Sequence, residues 1–524
     1  MRRVIRLSAP GRSAVVVGTN RGAIRHLVMS SWFYVLVNSV VTLAVLPTVI
    51  HRIDVQSYGW WAAIGSVFTV TTLGQSGISA EVGRRVARAF GNNDLEGLRR
   101  AVTVGTSAVT VSFGTAFLVL GLLAEPIVSF IAPDASRYDH NVLVAVFIVA
   151  AFLFCLSNVL ATYLAALNGL QRTDFATNGA AVGSVLGAAA TVAAAILGWG
   201  IWAFVVGLVF QMLALATFGI RGVRAIVPGI GWPIVRIGIR EVVRFLRFPA
   251  VLLLVELSNI AELQIDKVIL SHFRGSTNTA YFQIAILVSL QLRLLALTPA
   301  GVIASATAEL VDREMSHLRD VLRRMSTSSY AVAALTLGGG IVLGEPFVHV
   351  WLGPRFAQAA VATEVLSVSL LINTIAMPWY FYLVGRGQRR LLARSALVNM
   401  STNLVCTATL TPTIGLWGAL AGCLSGNFFG VALLYMGMRR ERSVPWVSYI
   451  RRPAAVAIPA IVTGSVLVHL LTPYTWPTLL IAAAIWTGVV GCALVAVGAS
   501  PLEAIWLRAP APRPARAGAS GSAK

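Results

Sequence analysis

Charged residues are scarce in this sequence, and acidic residues are the scarcest. Only 12% of the 524 residues are charged, with 20 Asp and Glu against 41 Lys and Arg, whereas a soluble domain has about 25% charged residues. Hydrophobic residues make up 57% of the chain. They form blocks near the roughly 20 residues that a helix needs to cross a bilayer. The composition therefore predicts a polytopic membrane protein.

Catalytic and metal-binding motifs are also missing. The sequence has no GxxxxGK[ST], HExxH or GxSxG motif, so we expect neither ATP hydrolysis nor any other enzyme activity. The four cysteines lie in apolar blocks without a CxxC pair or a histidine at zinc-ligand spacing. No metal or cofactor is expected. No cleavable signal is expected either, because the basic arm leads directly into a full-length span.

The hydrophobic blocks and basic residues predict an oriented topology. If the first loop is external, 35 of the 41 Lys and Arg lie in cytoplasmic segments, as the positive-inside rule requires. An even number of helices and two cytoplasmic termini follow. The +21 net charge then needs no nucleic acid as a partner. The fourteen predicted spans are 27–50, 59–80, 101–123, 142–166, 178–198, 200–220, 248–270, 280–304, 327–350, 361–384, 392–411, 414–437, 454–471 and 478–498.

An internal repeat divides these spans. Three short segments recur in the same order at shifts of 220, 217 and 215 residues. Because six spans lie in each unit, the two lobes have the same orientation in the membrane. The matching segments are Ala124–Val128 with Gly344–Val348, Asn168–Arg172 with Gly385–Arg389, and Gly200–Trp202 with Gly415–Trp417. The predicted units are a basic arm (1–26), an N-lobe (27–220), a basic linker (221–247), a C-lobe (248–438), an appended hairpin (439–498) and a cytoplasmic, largely disordered tail (499–524).

Five segments stand out from the apolar blocks: Val45–Trp61, Gly74–Ile78, the basic stretch Glu81–Arg100, Asp266–Leu270 and Gly415–Ala419. In this order they resemble segments of the polysaccharide-transport flippases of the multidrug/oligosaccharidyl-lipid/polysaccharide (MOP) exporter superfamily. The resemblance covers about residues 27–440 and implies an all-α fold of the MOP/MATE type. It further implies export of a polyprenyl-diphosphate-linked oligosaccharide from the cytoplasmic to the outer leaflet of the inner membrane. Expected partners are membrane lipids, a coupling proton or cation, a polysaccharide polymerase and glycosyltransferases.

Ionisable residues within span 7 are the main candidates for the transport site. A charge at the centre of a membrane helix costs about 2.5 to 3.5 kcal/mol, so it normally faces a cavity or a partner. Helical periodicity places Glu256, Asn259, Glu262, Asp266 and Lys267 on one face. We expect Lys267 and Asn259 to bind substrate, and the three carboxylates to bind a coupling ion or form an ion pair. Alternatively, Asp266 and Lys267 simply snorkel to the external interface.

Polar residues on three other spans complete the candidate site. Arg293 in span 8 is at a suitable depth to pair with Glu256 or Glu262 and to bind a diphosphate. Asn38 and Gln75 in the first lobe are candidate substrate ligands. The alternative for Arg293 is a buried ion pair that only fixes helix packing. The alternative for the two amides is hydrogen bonding between helices.

Three other functions remain open at this point. A lipid II flippase or a small-molecule or drug cation antiporter belongs to the same superfamily. A membrane glycosyltransferase or polymerase belongs to another class, but it would need a long loop with catalytic residues. No segment between two spans exceeds about 30 residues, so the sequence favours the flippase.

Overall fold

The computed structural model describes residues 21–71, 73–170, 172–226, 250–310, 315–439 and 446–499. These residues form helices and short connections, with no strand among them. The first half contains α1 Arg21–Ile53, α2 Val55–Thr71, α3 Leu73–Gly91, α4 Leu95–Leu122, α5 Ala124–Ile131, α6 Arg137–Gly169, α7 Thr173–Ile196 and α8 Trp202–Ile226. The second half contains α9 Ala250–Leu310, α10 Met315–Leu352, a 3-10 turn Pro354–Phe356, α11 Ala357–Gly385, α12 Arg389–Ile414, α13 Leu416–Met438, α14 Trp446–Leu471 and α15 Trp476–Ala496.

Each predicted span coincides with a helix or a pair of helices. The second span is divided between α2 and α3, and the seventh and eighth spans both lie in α9, on either side of a kink at Gly275. Within the described residues, ten helical stretches are long and apolar enough to cross a membrane, and α12 is too polar to qualify. One of the ten, Leu263–Leu297, contains the kink and covers parts of two predicted spans. The polytopic all-α prediction is confirmed, while the count of fourteen stays a prediction.

The same helix contacts recur in both halves of the chain. α7 packs against α8 as α12 packs against α13, α4 against α6 as α10 against α11, and α1 against α7 as α9 against α12. Equivalent packing is what a parallel duplication produces. The last two helices, α14 and α15, both pack against α10. The described helices thus form two similar lobes, with an additional hairpin against the second, and the assignment of six spans to each lobe stays a prediction.

The first turn of each lobe contains a residue with a positive φ. Asp54, between α1 and α2, has a φ of 98°, and Gly275, at the kink in α9, has a φ of 79°. Glycine adopts positive φ without strain, and the Asp54 carboxylate is stabilised there by the backbone N–H of Gln56 at 3.1 Å. Both turns lie at the predicted external ends of the lobes, where the two lobes meet.

Candidate functional site

An apolar cluster joins the two lobes at their predicted external ends. It contains residues from α1 and α2 of the first lobe and from α9, α10 and α11 of the second, and we call it the external seal. Its buried members are Leu46, Ile50, Tyr58, Ala280, Ile284, Val348, Leu352, Phe356, Ala359 and Ala360. Burying this surface removes apolar area from water at about 25 cal/mol per Å². The seal therefore stabilises the contact between the two lobes at this end of the helices, which is the predicted external end.

Polar and backbone contacts surround the external seal. Gly59 of α2 lies directly against the carbonyl group of Ser276. The Ser276 hydroxyl donates to the exposed Asp134 carboxylate at 3.3 Å, and this carboxylate also accepts from the indole N–H of Trp60 at 3.3 Å. The Ser271 hydroxyl donates to the Ile131 carbonyl oxygen at 2.5 Å. The two lobes therefore touch at several points of their external ends.

A proline in α1 makes a backbone carbonyl group available for another contact between the lobes. Pro47 has no N–H, so the carbonyl of Leu43, four residues earlier, loses its helical donor. The indole Nε1 of Trp351, at the end of α10, donates to this carbonyl oxygen at 2.9 Å. The hydrogen bond ties the first helix of one lobe to the third span of the other.

We expect Trp351→Phe to weaken external closure. The substitution keeps an aromatic ring but leaves the Leu43 carbonyl unpaired, at a cost of about 1 kcal/mol, which corresponds to roughly a fivefold shift in population. Externally added impermeant maleimide should label an Ile50→Cys reporter in the external seal correspondingly faster. Trp417→Phe, on an exposed tryptophan, is the control. Equal labelling of the Trp351→Phe variant and the parent would show that this hydrogen bond does not hold the seal.

Lys267 lies inside the protein, next to the external seal. It is only 5% exposed, and its ammonium group donates to Gln283 Oε1 at 2.9 Å. Gln283 directly precedes Ile284, a member of the external seal, in α9. The snorkelling alternative for Lys267 is therefore wrong. The reason is that α9 continues to the kink at Gly275 and remains covered by neighbouring helices.

Asp266 points into the second lobe. Its side chain is fully buried, and Oδ2 accepts from Asn403 Nδ2 at 3.0 Å and from the Cys423 thiol at 3.0 Å. Asn403 belongs to α12 and Cys423 to α13, which approach closely at Gly422. Asp266 also interacts electrostatically with Lys267. Snorkelling is excluded for Asp266 as well, and its carboxylate is held by donors from two other helices.

Arg293 is the start of a hydrogen-bonded chain of amides. Its Nη2 donates to Asn373 Oδ1 at 2.6 Å, and Asn373 donates in turn to Asn427 Oδ1 at 2.6 Å. Asn399 donates to the same Asn427 oxygen at 3.2 Å, and Asn427 donates to the Ser369 hydroxyl at 3.0 Å. These asparagines were not predicted from the sequence as part of the site. Four amides in the apolar spans 10 to 12, Asn403 included, were the signal that could have revealed them.

In the first lobe, Asn38 lines a cavity and Gln75 does not reach it. Asn38 accepts from the Ser184 hydroxyl at 2.8 Å and lines a space of about 300 Å³ together with Gln211 and with Leu287 of the second lobe. Gln75 is buried within its lobe and donates to the Asn158 carbonyl at 2.9 Å. These contacts of Gln75 fit the interhelical alternative. A substrate-binding role for either amide stays a prediction.

Three predicted site residues lie outside the described side chains. The backbone of Glu256, Asn259 and Glu262 is part of α9, whereas their side chains fall outside the residues whose surroundings the structure describes. The expected pairing of Arg293 with one of the two glutamates belongs there too. These roles stay predictions.

Two similar lobes of membrane-length helices, with buried charges between the helices, define a multi-pass membrane transporter. Residues 53–361 match the model of the family described as polysaccharide biosynthesis protein. This stretch is more than half of the chain, and the protein belongs to that family. The resemblance noted from the sequence is thereby confirmed.

Known relatives agree with this fold. The lipid II flippase MurJ in an inward closed conformation superimposes with a TM-score of 0.64 at 12% identity, over 89% of this chain and 99% of that chain. A multidrug resistance MATE family transporter of the MOP superfamily, in an inward-facing conformation, gives a TM-score of 0.58 at 14% identity, over 77% and 94% of the chains. The uncharacterized membrane protein EpsK of Bacillus subtilis (strain 168) is 28% identical over 170 residues, 31% of this chain and 33% of that protein. The match thus spans about a third of this relative's length, and the two solved structures share the fold.

Proposed function

We propose that the protein moves a polyprenyl-diphosphate-linked oligosaccharide from the cytoplasmic to the outer leaflet of the inner membrane by alternating access. The observation that carries the proposal is the position of Lys267 beside the external seal. A buried cation beneath an external closure is suited to a diphosphate that enters from the cytoplasmic side. Charge-assisted hydrogen bonds from Lys267 and Arg293 would bind its oxygens. The membership in a polysaccharide biosynthesis family supports a glycan as the cargo.

Coupling to a proton or cation is part of the proposal. Asp266 is a buried carboxylate, and Glu256 and Glu262 precede it on the same helix. Ionisable groups inside membrane helices commonly serve as ion-binding sites or proton relays. Both termini would be cytoplasmic. The glycosyltransferases of a surface-polysaccharide pathway would act before this step, and the polymerase would act after it.

Leaflet-specific labelling of lipid-linked glycan in a depletion strain tests the function. We expect the glycan to accumulate on the cytoplasmic side when the protein is depleted. Normal flipping with a loss of polymer length would instead indicate a polymerase or glycosyltransferase. Accumulation of cytoplasmic lipid II with normal export of other glycans would indicate the lipid II flippase, whose fold this chain shares. Drug sensitivity without any glycan defect would indicate an antiporter.

We expect Arg293→Gln to lower glycan export at least about tenfold, since one charge-assisted interaction is worth about 1.5 to 3 kcal/mol. Arg293→Lys keeps the charge but loses the planar fork, so it should retain part of the activity. Arg137→Gln removes an exposed external arginine and serves as the control. Export and membrane insertion are measured together. Full export by a normally inserted Arg293→Gln variant would contradict the substrate-binding role.

A further inference from the structure

Four arginines converge on a cavity at the predicted cytoplasmic face of the second lobe. The cavity has a volume of about 860 Å³ and lies between the start of α10, the start of α14 and the end of α15. The arginines lining it are Arg323, Arg324, Arg451 and Arg452. It is outside the interface between the two lobes, so it is separate from the proposed transport path.

The two arginine pairs face each other because α14 is anchored to α10. Pro453 has no N–H, which leaves the Tyr449 carbonyl without its helical donor. The Thr327 hydroxyl of α10 donates to this carbonyl oxygen at 3.5 Å. Tyr449 is only 5% exposed and packs among the apolar side chains of the second lobe. Its own hydroxyl donates to the Arg319 carbonyl oxygen at 3.5 Å.

The end of α15 closes the third side of the cavity. Gly498 turns the chain there with a φ of 71°, and Arg452 Nη1 lies 3.4 Å from the position that a Cβ atom would occupy on this glycine. The following Ala499 is fully buried. The guanidinium of Arg452 therefore lies close to the end of the appended hairpin.

Charge balance distinguishes this cluster from other basic residues on the cytoplasmic side. On α3, Glu81 pairs with both Arg84 and Arg85 at 2.8 and 2.7 Å. The hydrogen bond from Arg84 is the main reason that the pKa of the Glu81 carboxyl lies below its usual value. The residues lining the cavity within the described chain include no acid. The neighbouring Asp320 lies 3.7 Å from Arg323, and both side chains are well exposed.

Four guanidinium groups around one cavity repel each other unless an anion joins them. Arginine binds phosphate oxygens in pairs through its planar fork. The helix ends place this cavity at the level of the cytoplasmic headgroups, where anionic lipids are concentrated. Large apolar side chains on the outer face of α14, Ile458 and Val462 among them, are exposed beyond it and offer a surface for acyl chains. The positive-inside rule explains why basic residues lie on this side of the membrane. It does not explain why four arginines line one cavity.

We propose that this cavity binds the phosphate groups of an anionic lipid from the cytoplasmic leaflet. The bound headgroup bridges α10 to the appended hairpin and neutralises the arginine cluster. The site is distinct from the transported substrate, and its occupancy does not depend on the proposed cargo.

Lipid binding to the purified full-length protein in detergent tests the proposal. We expect cardiolipin to bind at least about tenfold more tightly than phosphatidylcholine in native mass spectrometry, and Arg451→Gln/Arg452→Gln to lose at least about tenfold in cardiolipin affinity. Arg390→Gln/Arg394→Gln removes two exposed arginines from the cytoplasmic start of α12 and should bind cardiolipin as the parent does. Inorganic pyrophosphate, used as a soluble probe, should compete only weakly.

Two outcomes would overturn the proposal. If cardiolipin binds both double variants as tightly as it binds the parent protein, the arginine cluster is only a topology signal. Pyrophosphate binding as tight as that of cardiolipin, and lost in the Arg451→Gln/Arg452→Gln variant, would assign the cavity to a soluble phosphate compound. If that variant does not fold, Arg323→Gln/Arg324→Gln on the opposite wall replaces it, with the same expected loss of affinity.

Discussion

Gly59→Ala is expected to prevent the two lobes from closing at their external ends. A methyl group at Gly59 would overlap the carbonyl oxygen of Ser276, which is backbone and has no flexible end to move away. Overpacking of this kind costs about 1 to 3 kcal/mol, which shifts a two-state equilibrium roughly five- to 150-fold. Because only the closed state contains the contact, the variant should accumulate with its external side open. Glycan export should fall by a similar factor.

Cysteine labelling measures the position of this equilibrium. An Ile50→Cys reporter in the external seal, where the native side chain is 2% exposed, should react with externally added impermeant maleimide much faster in the Gly59→Ala background. The same protein without the reporter gives the background from the native cysteines.

Gly65→Ala is the matched control on the same helix. A Cβ atom at Gly65 would meet nothing within 4 Å, so this variant should label slowly and export normally. If Gly59→Ala labels as slowly as Gly65→Ala and exports glycan at the parent's rate, the closed external contact plays no part in transport.

The fold could be predicted largely from the sequence because its signals are local. The lengths of the apolar blocks predicted the helices. The distribution of Lys and Arg predicts their orientation in the membrane, and that orientation stays a prediction. The repeat gave the two lobes, since three collinear matches identify equivalent helices. The kink of α9 at Gly275 agrees with the gap between the two spans predicted there. The extension of α9 beyond residue 270 was missed, and this error made snorkelling of Asp266 and Lys267 look plausible.

The candidate site was only partly predictable, because its partners are distant in the sequence. Charges such as Lys267 and Arg293 stand out in an apolar block, whereas a single asparagine in a membrane helix usually only forms hydrogen bonds between helices. The bond between Asn403 and Asp266 joins residues 137 positions apart. The external seal was missed entirely, since its members look like any other apolar residues. The contact of Trp351 with Leu43 spans 308 positions, and only the lack of a donor at Pro47 hinted at it.

Lys267→Met is expected to cost about 3 to 5 kcal/mol of stability, as the removal of one partner from a buried pair of charges does. The fully buried Asp266 carboxylate would keep its bonds from Asn403 and Cys423 but lose its neighbouring cation. Thermal unfolding of the protein in nanodiscs measures this loss. The Asp266→Asn/Lys267→Met double variant should recover most of the stability, because no unbalanced charge is left.

The double variant also separates a structural ion pair from a transport site. If the two charges serve only to fix helix packing, the stable double variant should export glycan normally. If Lys267 binds the diphosphate and Asp266 takes part in coupling, export should stay at least about tenfold below the parent although stability is restored. A double variant that is both stable and fully active would therefore remove Asp266 and Lys267 from the proposed site, and Arg293 would be the remaining candidate to bind the diphosphate.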